Sequence, residues 1–299
     1  MDGNKITIRH LNKFYGNKQA LHDVSLEIKQ GMFGLLGRNG AGKTTLMKTL
    51  ATLLQKKSGE ITVCGIPIEN AKEIRRITGY LPQEFSLYPS MRVSEAMDYM
   101  GVLSGMSGGE RKQRTEVLLD RVNLTGEKNK KVRALSGGMK RRLGIAQALL
   151  HNPGVLIVDE PTAGLDPEER IRFRNLLCEV AEERIVILST HIVGDIEATC
   201  EDIAILNDGR LLYNGKVETL LETASGKVFA KIADRRELPG LKKQYGITSM
   251  HSQGNRMYVR FLSDMPVPDV EVCEPNIEDA YMLYLYRNGA SLENIGGEM

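Results

Sequence analysis

No charge of either sign dominates this 299-residue chain, since 40 basic side chains face 38 acidic ones for a net charge of +2. With no dense basic stripe, binding to nucleic acid has no electrostatic support. Long apolar runs are missing too. Runs such as Val155 to Val158 and Ile185 to Leu188 have strand length and fall far short of the roughly 20 residues that span a bilayer. The opening Asp2, Gly3, Asn4 and Lys5 does not read as a secretory leader, so a cytoplasmic chain is expected. Cysteine is scarce: Cys64, Cys178, Cys200 and Cys273 are widely and irregularly spaced, which argues against both a zinc site and a disulfide framework. Reduced, mostly buried thiols are the expectation. The length suits one large α/β domain with a smaller appendage.

Glycine, by contrast, is concentrated where it matters. Gly37, Arg38, Asn39, Gly40, Ala41, Gly42, Lys43, Thr44 and Thr45 form a phosphate-binding loop. It follows a strand-like run, Met32 to Leu36, and leads into Leu46, Met47, Leu50, Leu53 and Leu54, spaced as a helix face. The three glycines admit backbone angles closed to residues with a Cβ, so successive N–H groups can turn around a triphosphate. The helix adds free N-terminal donors and the positive end of its dipole. Lys43 is then placed for the β and γ phosphates, and the Thr44 hydroxyl is the expected Mg²⁺ ligand. Thr45 is left to hydrogen-bond phosphate oxygens.

Val155, Leu156, Ile157 and Val158 describe a strand buried on both faces, and Asp159 and Glu160 emerge where it ends. Ligands of open α/β sheets sit at that edge. Asp159 is placed to organise Mg²⁺ through water, and Glu160 to polarise the water that attacks the γ phosphate. Upstream, Leu135, Ser136, Gly137, Gly138 and Met139 precede the helical stretch Lys140 to Leu150. Ser136 is a good N-cap, and the glycines leave the helix end open to an anion. A similar string, Met106 to Glu110, lies far from the carboxylate strand and reads as a loop between helices.

The rest of the chain alternates. Residues 5 to 35 read as short strands with Ile6, Ile8, Val24, Leu26 and Ile28 inward, and 60 to 68 and 77 to 82 continue that character. Between about Glu84 and Ala134 the pattern is helical, with Val93, Ala96, Met97 and Met100 on one face and Val117, Leu118, Arg121 and Val122 on another. Strands at Val155 to Val158, Ile185 to Leu188 and Ile203 to Leu206 then alternate with helices near 139 to 151, 168 to 183 and 193 to 200, which predicts a mostly parallel sheet with flanking helices.

These motifs, in this order, resemble the nucleotide-binding subunit of an ATP-binding cassette (ABC) transporter over residues 5 to about 220, with Leu135 to Met139 standing at the family's signature. The resemblance implies an α/β P-loop ATPase core with a mostly parallel sheet, an N-terminal antiparallel β subdomain and a helical insertion at about 84–150, all within an ATP-binding domain of residues 1–222. It implies ATP and Mg²⁺ as ligands and Lys43, Glu160 and His191 as catalytic, with His191 reading the γ phosphate. Tyr15 matches the aromatic that stacks on adenine, although it also reads as a half-buried strand tyrosine. Gln83 matches a glutamine that touches Mg²⁺, although alone it would mean only a loop. Asp166 matches a loop that crosses between subunits and is also a natural N-cap ahead of Pro167. In this family two cassettes close head to tail over ATP, so Ser136, Gly137 and Gly138 would serve the nucleotide of a second copy, in a homodimer in the ATP state.

Residues 223–299 read as a small C-terminal α/β accessory domain, with strands at Lys227 to Ala233, Arg256 to Leu262 and Val270 to Val272 and helices near 235 to 244 and 276 to 287. Similar extensions occur on ATPases of export-type transporters with separate membrane subunits, and a stabilising or dimerising add-on without a ligand is the preferred reading. The expected function is therefore ATP binding and hydrolysis coupled to a separate transmembrane permease, an exporter, with the chain held peripherally on the cytoplasmic face of the membrane. Exposed Phe85, Leu87, Tyr88 and Met91 would form the dock, unless they pack on their own domain. The competing reading is a soluble ABC-type ATPase of the translation or DNA-repair type. The tandem cassettes and long coiled coils of that type do not appear in this sequence.

Overall fold

A computed structural model describes residues 4–289. The chain opens with β1 (Lys5–Tyr15), β2 (Lys18–Lys29) and β3 (Gly31–Leu36), then α1 (Lys43–Leu50), β4 (Ser58–Val63), β5 (Ile66–Pro67), α2 (Ala71–Ile77) and β6 (Thr78–Leu81). Three helices follow: α3 (Val93–Leu103), α4 (Gly108–Arg121) and α5 (Gly137–Ala148). The strands resume with β7 (Val155–Asp159), α6 (Pro167–Ala181), β8 (Ile185–Thr190), α7 (Val193–Glu197), β9 (Asp202–Asn207) and β10 (Arg210–Lys216). The C-terminal part comprises α8 (Val217–Ala224), β11 (Val228–Ala233), α9 (Leu238–Gln244), β12 (Gly246–Gln253), β13 (Arg256–Leu262), β14 (Glu271–Val272) and α10 (Ile277–Arg287).

The strands form three sheets. An antiparallel sheet runs β2-β1-β4-β5, and Ile6, Ile8, Val24, Leu26 and Ile28 all point inward from it as the alternation predicts. The central sheet runs β10-β9-β3-β8-β7-β6 and is parallel except for β10. Its middle strands are covered on both sides: Leu156, Val158, Val186 and Leu188 join the core beneath the helical insertion, whereas Val155, Ile157, Ile185 and Ile187 join the core shared with α1 and the antiparallel sheet. That two-sided burial explains their unbroken apolar sequence. Because β3, β7 and β8 are parallel, their carboxyl ends open on one edge, and the glycine loop, Glu160 and His191 follow those ends.

Several local expectations change. Met106 to Glu110 is not simply a loop, because Ser107 caps α4 and forms a capping box with Glu110. Val117 and Arg121 face solvent, and Leu118 and Leu119 are the buried residues of that helix, with Val122 buried at its C-cap. Helix α1 ends at Leu50, which leaves Leu53 exposed in a turn. Of the four cysteines, all free, only Cys200 is buried, and burial pushes its thiol up to about 12. Leu87 enters the core, whereas Tyr88 stays half exposed.

The third sheet, β12-β13-β11-β14, belongs to the C-terminal part and has its own small core around Phe229, Val259 and Phe261. Helix α10 covers its other face and packs on α8 and α7, so that Ile277, Ala280 and Leu283 share the main core with Ile196 and Leu220. At the start of α10 the buried Asp279 carboxylate accepts hydrogen bonds from Arg260 Nε at 2.9 Å and Nη2 at 2.6 Å, and from the Asn276 amide at 3.0 Å. Arg260 also donates to the Glu274 carbonyl. Deleting one partner of a buried pair strands the other, so Asp279→Ala is expected to destabilise the C-terminal part by about 3 kcal/mol. A lowered urea midpoint, with the transition of this part preceding that of the core, is the measurement.

Candidate functional site

The turn after β3 shows why glycine is required. Gly37 passes so close to β9 that a Cβ would collide with the Leu206 carbonyl oxygen. Gly40 and Gly42 take φ values of +84° and +105°, and Gly42 caps the first turn of α1. The Ala41 carbonyl accepts from the Gly209 amide at 2.9 Å, which fixes the loop to the β9–β10 turn. Within this frame Lys43 is buried, and its Nζ donates to the carbonyls of Gly37 at 2.7 Å and Arg38 at 3.2 Å.

A cleft of about 550 Å³ opens above the loop. Its wall includes Arg38, Asn39, Gly40, Gly42, Lys43, Thr44 and Thr45 from the loop, together with Tyr15, Gln83 and Glu160. Tyr15 is 49% exposed at the mouth, with Lys13 Nζ 5.3 Å from its ring centroid, and an exposed ring there can take a stacked partner. Gly37 and Ala41 shape the loop from behind.

The inner end of the cleft gathers polar groups on one carboxylate. Glu160 Oε1 lies 3.2 Å from Lys43 Nζ, while its Oε2 accepts from Gln83 Nε2 at 3.0 Å and lies 3.3 Å from His191 Nδ1. Glu160 is 6% exposed and has φ +45°, a left-handed conformation that a side chain rarely adopts. Ser189 holds it there, since the Glu160 amide donates to Ser189 Oγ at 3.0 Å and to the Ser189 carbonyl at 3.1 Å. The same hydroxyl donates to Asp159 Oδ1 at 2.5 Å. Asp159 Oδ2 is buried without a hydrogen-bond partner, and the neighbouring Tyr80 hydroxyl is pushed well up by burial and by Asp159. An unsatisfied buried carboxylate oxygen is the kind of group that a cation or its water completes.

Other predicted residues stay away from this cluster. Ser136 caps α5 through Met139 N at 3.2 Å, and neither it nor Gly137 or Gly138 lines the cleft. Asp166 caps α6 through Glu169 N at 2.9 Å, with Pro167 at the first helical position. Sequence reasoning missed the outer wall: Lys18, Gln19, Ala20 and His22 from the β1–β2 hairpin, and Asp208 and Gly209 from the β9–β10 turn. Ser189 was also missed as a brace. No motif marks these positions, because their roles come from strands brought together by the fold.

A glycine loop opening a helix after β3, with a carboxylate pair ending β7 and a histidine beyond β8 on the same sheet edge, defines a P-loop nucleoside triphosphatase. Comparisons narrow the class. A family profile described as ABC transporter matches residues 21–163. The chain is 37% identical over 224 residues to the Nod factor export ATP-binding protein I of Cupriavidus pinatubonensis (strain JMP 134 / LMG 1197), covering 74% of this chain and 69% of that protein. It is 34% identical over 310 residues to the probable multidrug ABC transporter ATP-binding protein YbhF of Escherichia coli (strain K12), covering 97% of this chain and 54% of that one. A dimeric structure of a post-hydrolysis state of the ATP-binding cassette MJ0796, bound to ADP and Pi, superposes with a TM-score of 0.65 at 28% identity, over 71% of this chain and 98% of that chain. The chain belongs to the ABC transporter family and is an ATP-binding, ATP-hydrolysing subunit of it.

Proposed function

We propose that the chain drives an export-type transporter by closing on a second copy of itself around ATP and reopening after hydrolysis. The observation that carries this reading is the convergence of Lys43, Gln83 and His191 on the Glu160 carboxylate at the inner end of the loop cleft. Lys43 leaves its own loop carbonyls for the β and γ phosphates, and Arg38, Asn39, Gly40, Ala41, Gly42 and Thr45 offer further donors around them. Tyr15 stacks on the base. Glu160 accepts the proton of the attacking water, and His191 holds the γ phosphate.

Thr44, Gln83 and Asp159 suit Mg²⁺, an ion that takes one or two protein oxygens together with phosphate and water; the unpartnered Asp159 Oδ2 supports that fit. Bound Mg²⁺ would neutralise phosphate charge. The arrangement is incomplete on one side of the γ phosphate, because Ser136, Gly137, Gly138 and Asp166 lie off the cleft of their own subunit, and a second copy would supply them.

Names of relatives, Nod factor export and multidrug transport among them, favour an exporter. No helix among the described residues is long and apolar enough to cross a membrane; in this reading the permease is a separate protein that holds the subunit at the cytoplasmic face. The surface around α3 supports a docking role, since Val102 and Leu103 at its end and Tyr88 in the loop before it are exposed, and Tyr88 meets Tyr99 edge to face. Residues 1–222 form the ATP-binding domain in this reading, and residues 223–299 form a stabilising or dimerising accessory domain. In membrane fractionation the tagged chain is expected to sediment with membranes and to co-purify in detergent with a multi-span protein. A chain found only in the soluble fraction, with no such protein, would favour the soluble ATPase instead.

A further inference from the structure

One buried charge has no part in the chemistry above. Helix α7 begins two residues after His191 and carries Asp195, whose side chain is entirely enclosed. Asp195 Oδ2 accepts a hydrogen bond from Thr162 Oγ1 at 2.5 Å and lies 3.4 Å from Thr190 Oγ1. Both threonines are themselves buried. Thr190 Oγ1 accepts in turn from the Ile192 amide at 2.9 Å, which fixes the turn that presents His191. Thr162 stands two residues after Glu160, and its carbonyl accepts from the Leu165 amide at 3.1 Å, at the start of the loop that ends on Asp166. Gly164 gives that loop its left-handed bend at φ +74°.

Burying a carboxylate carries a large desolvation penalty, and the compensation here is incomplete. Arg174 Nη1 is 3.8 Å from Asp195 Oδ1, and Oδ1 has no hydrogen-bond partner. An apolar residue would fill the same volume at less cost, so stability alone does not account for a charge at this place. What the carboxylate provides is a common acceptor for hydroxyls on two loops with different destinations. We propose that Asp195 is a positioning residue that ties the Thr162–Asp166 segment to the turn carrying His191, so that docking of a second copy on Asp166 and contact of His191 with the γ phosphate shift together. The inference rests on the roles proposed above for Asp166 and His191.

Neither Thr162 nor Asp195 lines the nucleotide cleft, so the coupling should act on kcat and spare KM. Thr162→Val is nearly isosteric and replaces the hydroxyl that donates to Asp195 with a methyl group. In the purified full chain with its transporter it is expected to lower kcat about tenfold while KM moves less than about threefold. Thr162→Ser, which keeps the hydroxyl, should restore kcat to within about twofold of the parent. Asp195→Asn should resemble Thr162→Val, and the double variant should be no worse than the poorer single one, as for two ends of one interaction. If Asp195→Asn does not fold, the valine and serine variants decide the matter alone. A normal kcat in Thr162→Val, an equal loss in Thr162→Ser, or a loss confined to KM would overturn the proposal. Glu160→Gln is measured in parallel: if it hydrolyses ATP normally, the reading of the site itself fails, whereas an inactive Glu160→Gln beside a fully active Thr162→Val sinks only the coupling.

Discussion

Replacing Glu160 by glutamine is expected to lower ATP turnover roughly 10² to 10⁴-fold, the range typical of losing a general base, while ATP still binds. Glutamine matches the side chain in shape, so Gln83 and His191 keep a neighbour at this position, but the group can no longer accept a proton from water. The geometry of the site adds a second expectation about affinity. Lys43 pairs with Glu160 at 3.2 Å in a buried setting, and ATP must draw the lysine away from that partner. Once the carboxylate is neutral the competing pair disappears, so the variant should bind ATP at least as tightly as the parent, and the ATP-closed dimer should persist. Steady-state hydrolysis together with equilibrium binding of a fluorescent ATP analogue checks both halves. Near-normal turnover would defeat the assignment of Glu160 as the base, and markedly weakened binding would show that the carboxylate helps to hold nucleotide.

How much of this could be read from the chain depended on whether the signal was local. The glycine loop, the strand ending in Asp159 and Glu160, and the Ser136 cap are contiguous, because a tight turn, a doubly buried strand and a helix end each impose their residue types within a few positions. Features without such a local constraint were silent. Strand β12 is largely exposed and shows no apolar alternation, and α2 is short with only Ile74 fully buried, so neither period appears in the sequence. The string Met106 to Glu110 does lie between two helices, but its last three residues already form the first turn of α4 behind the Ser107–Glu110 capping box, a start signal that two adjacent glycines obscure. The outer wall of the cleft comes from a hairpin and a turn that the fold places beside the loop. The braces were equally invisible: Ser189 joins Asp159 to Glu160 across two strands, and Asp195 joins Thr162 to Thr190. Serine, threonine and aspartate are common on surfaces, and only burial distinguishes these four.

The head-to-tail arrangement has a consequence of comparable size. Ser136→Arg is expected to abolish hydrolysis in a uniform dimer by placing a long cation where the signature helix should close on ATP, and Lys43→Ala should do the same by removing the phosphate contact. Since Ser136 is exposed and caps only its own helix, the arginine should cost about 1 kcal/mol of cap and leave the fold intact. The two defects nevertheless belong to different sites. In a dimer with one subunit of each kind, the arginine subunit contributes an intact Lys43 loop, and the alanine subunit contributes an intact Ser136 facing it. One of the two sites is then complete, and the other carries both lesions. Mixing two nearly inactive preparations should therefore restore activity, toward about a quarter of the parental level if subunits pair at random and the sites work independently. A signature acting on its own subunit's nucleotide predicts no recovery at any mixing ratio, because every subunit would remain damaged. The ratio dependence of the mixed ATPase rate, with a maximum near equal amounts, separates the two arrangements, and a flat profile at the low rate of the two variants alone would overturn the arrangement in trans.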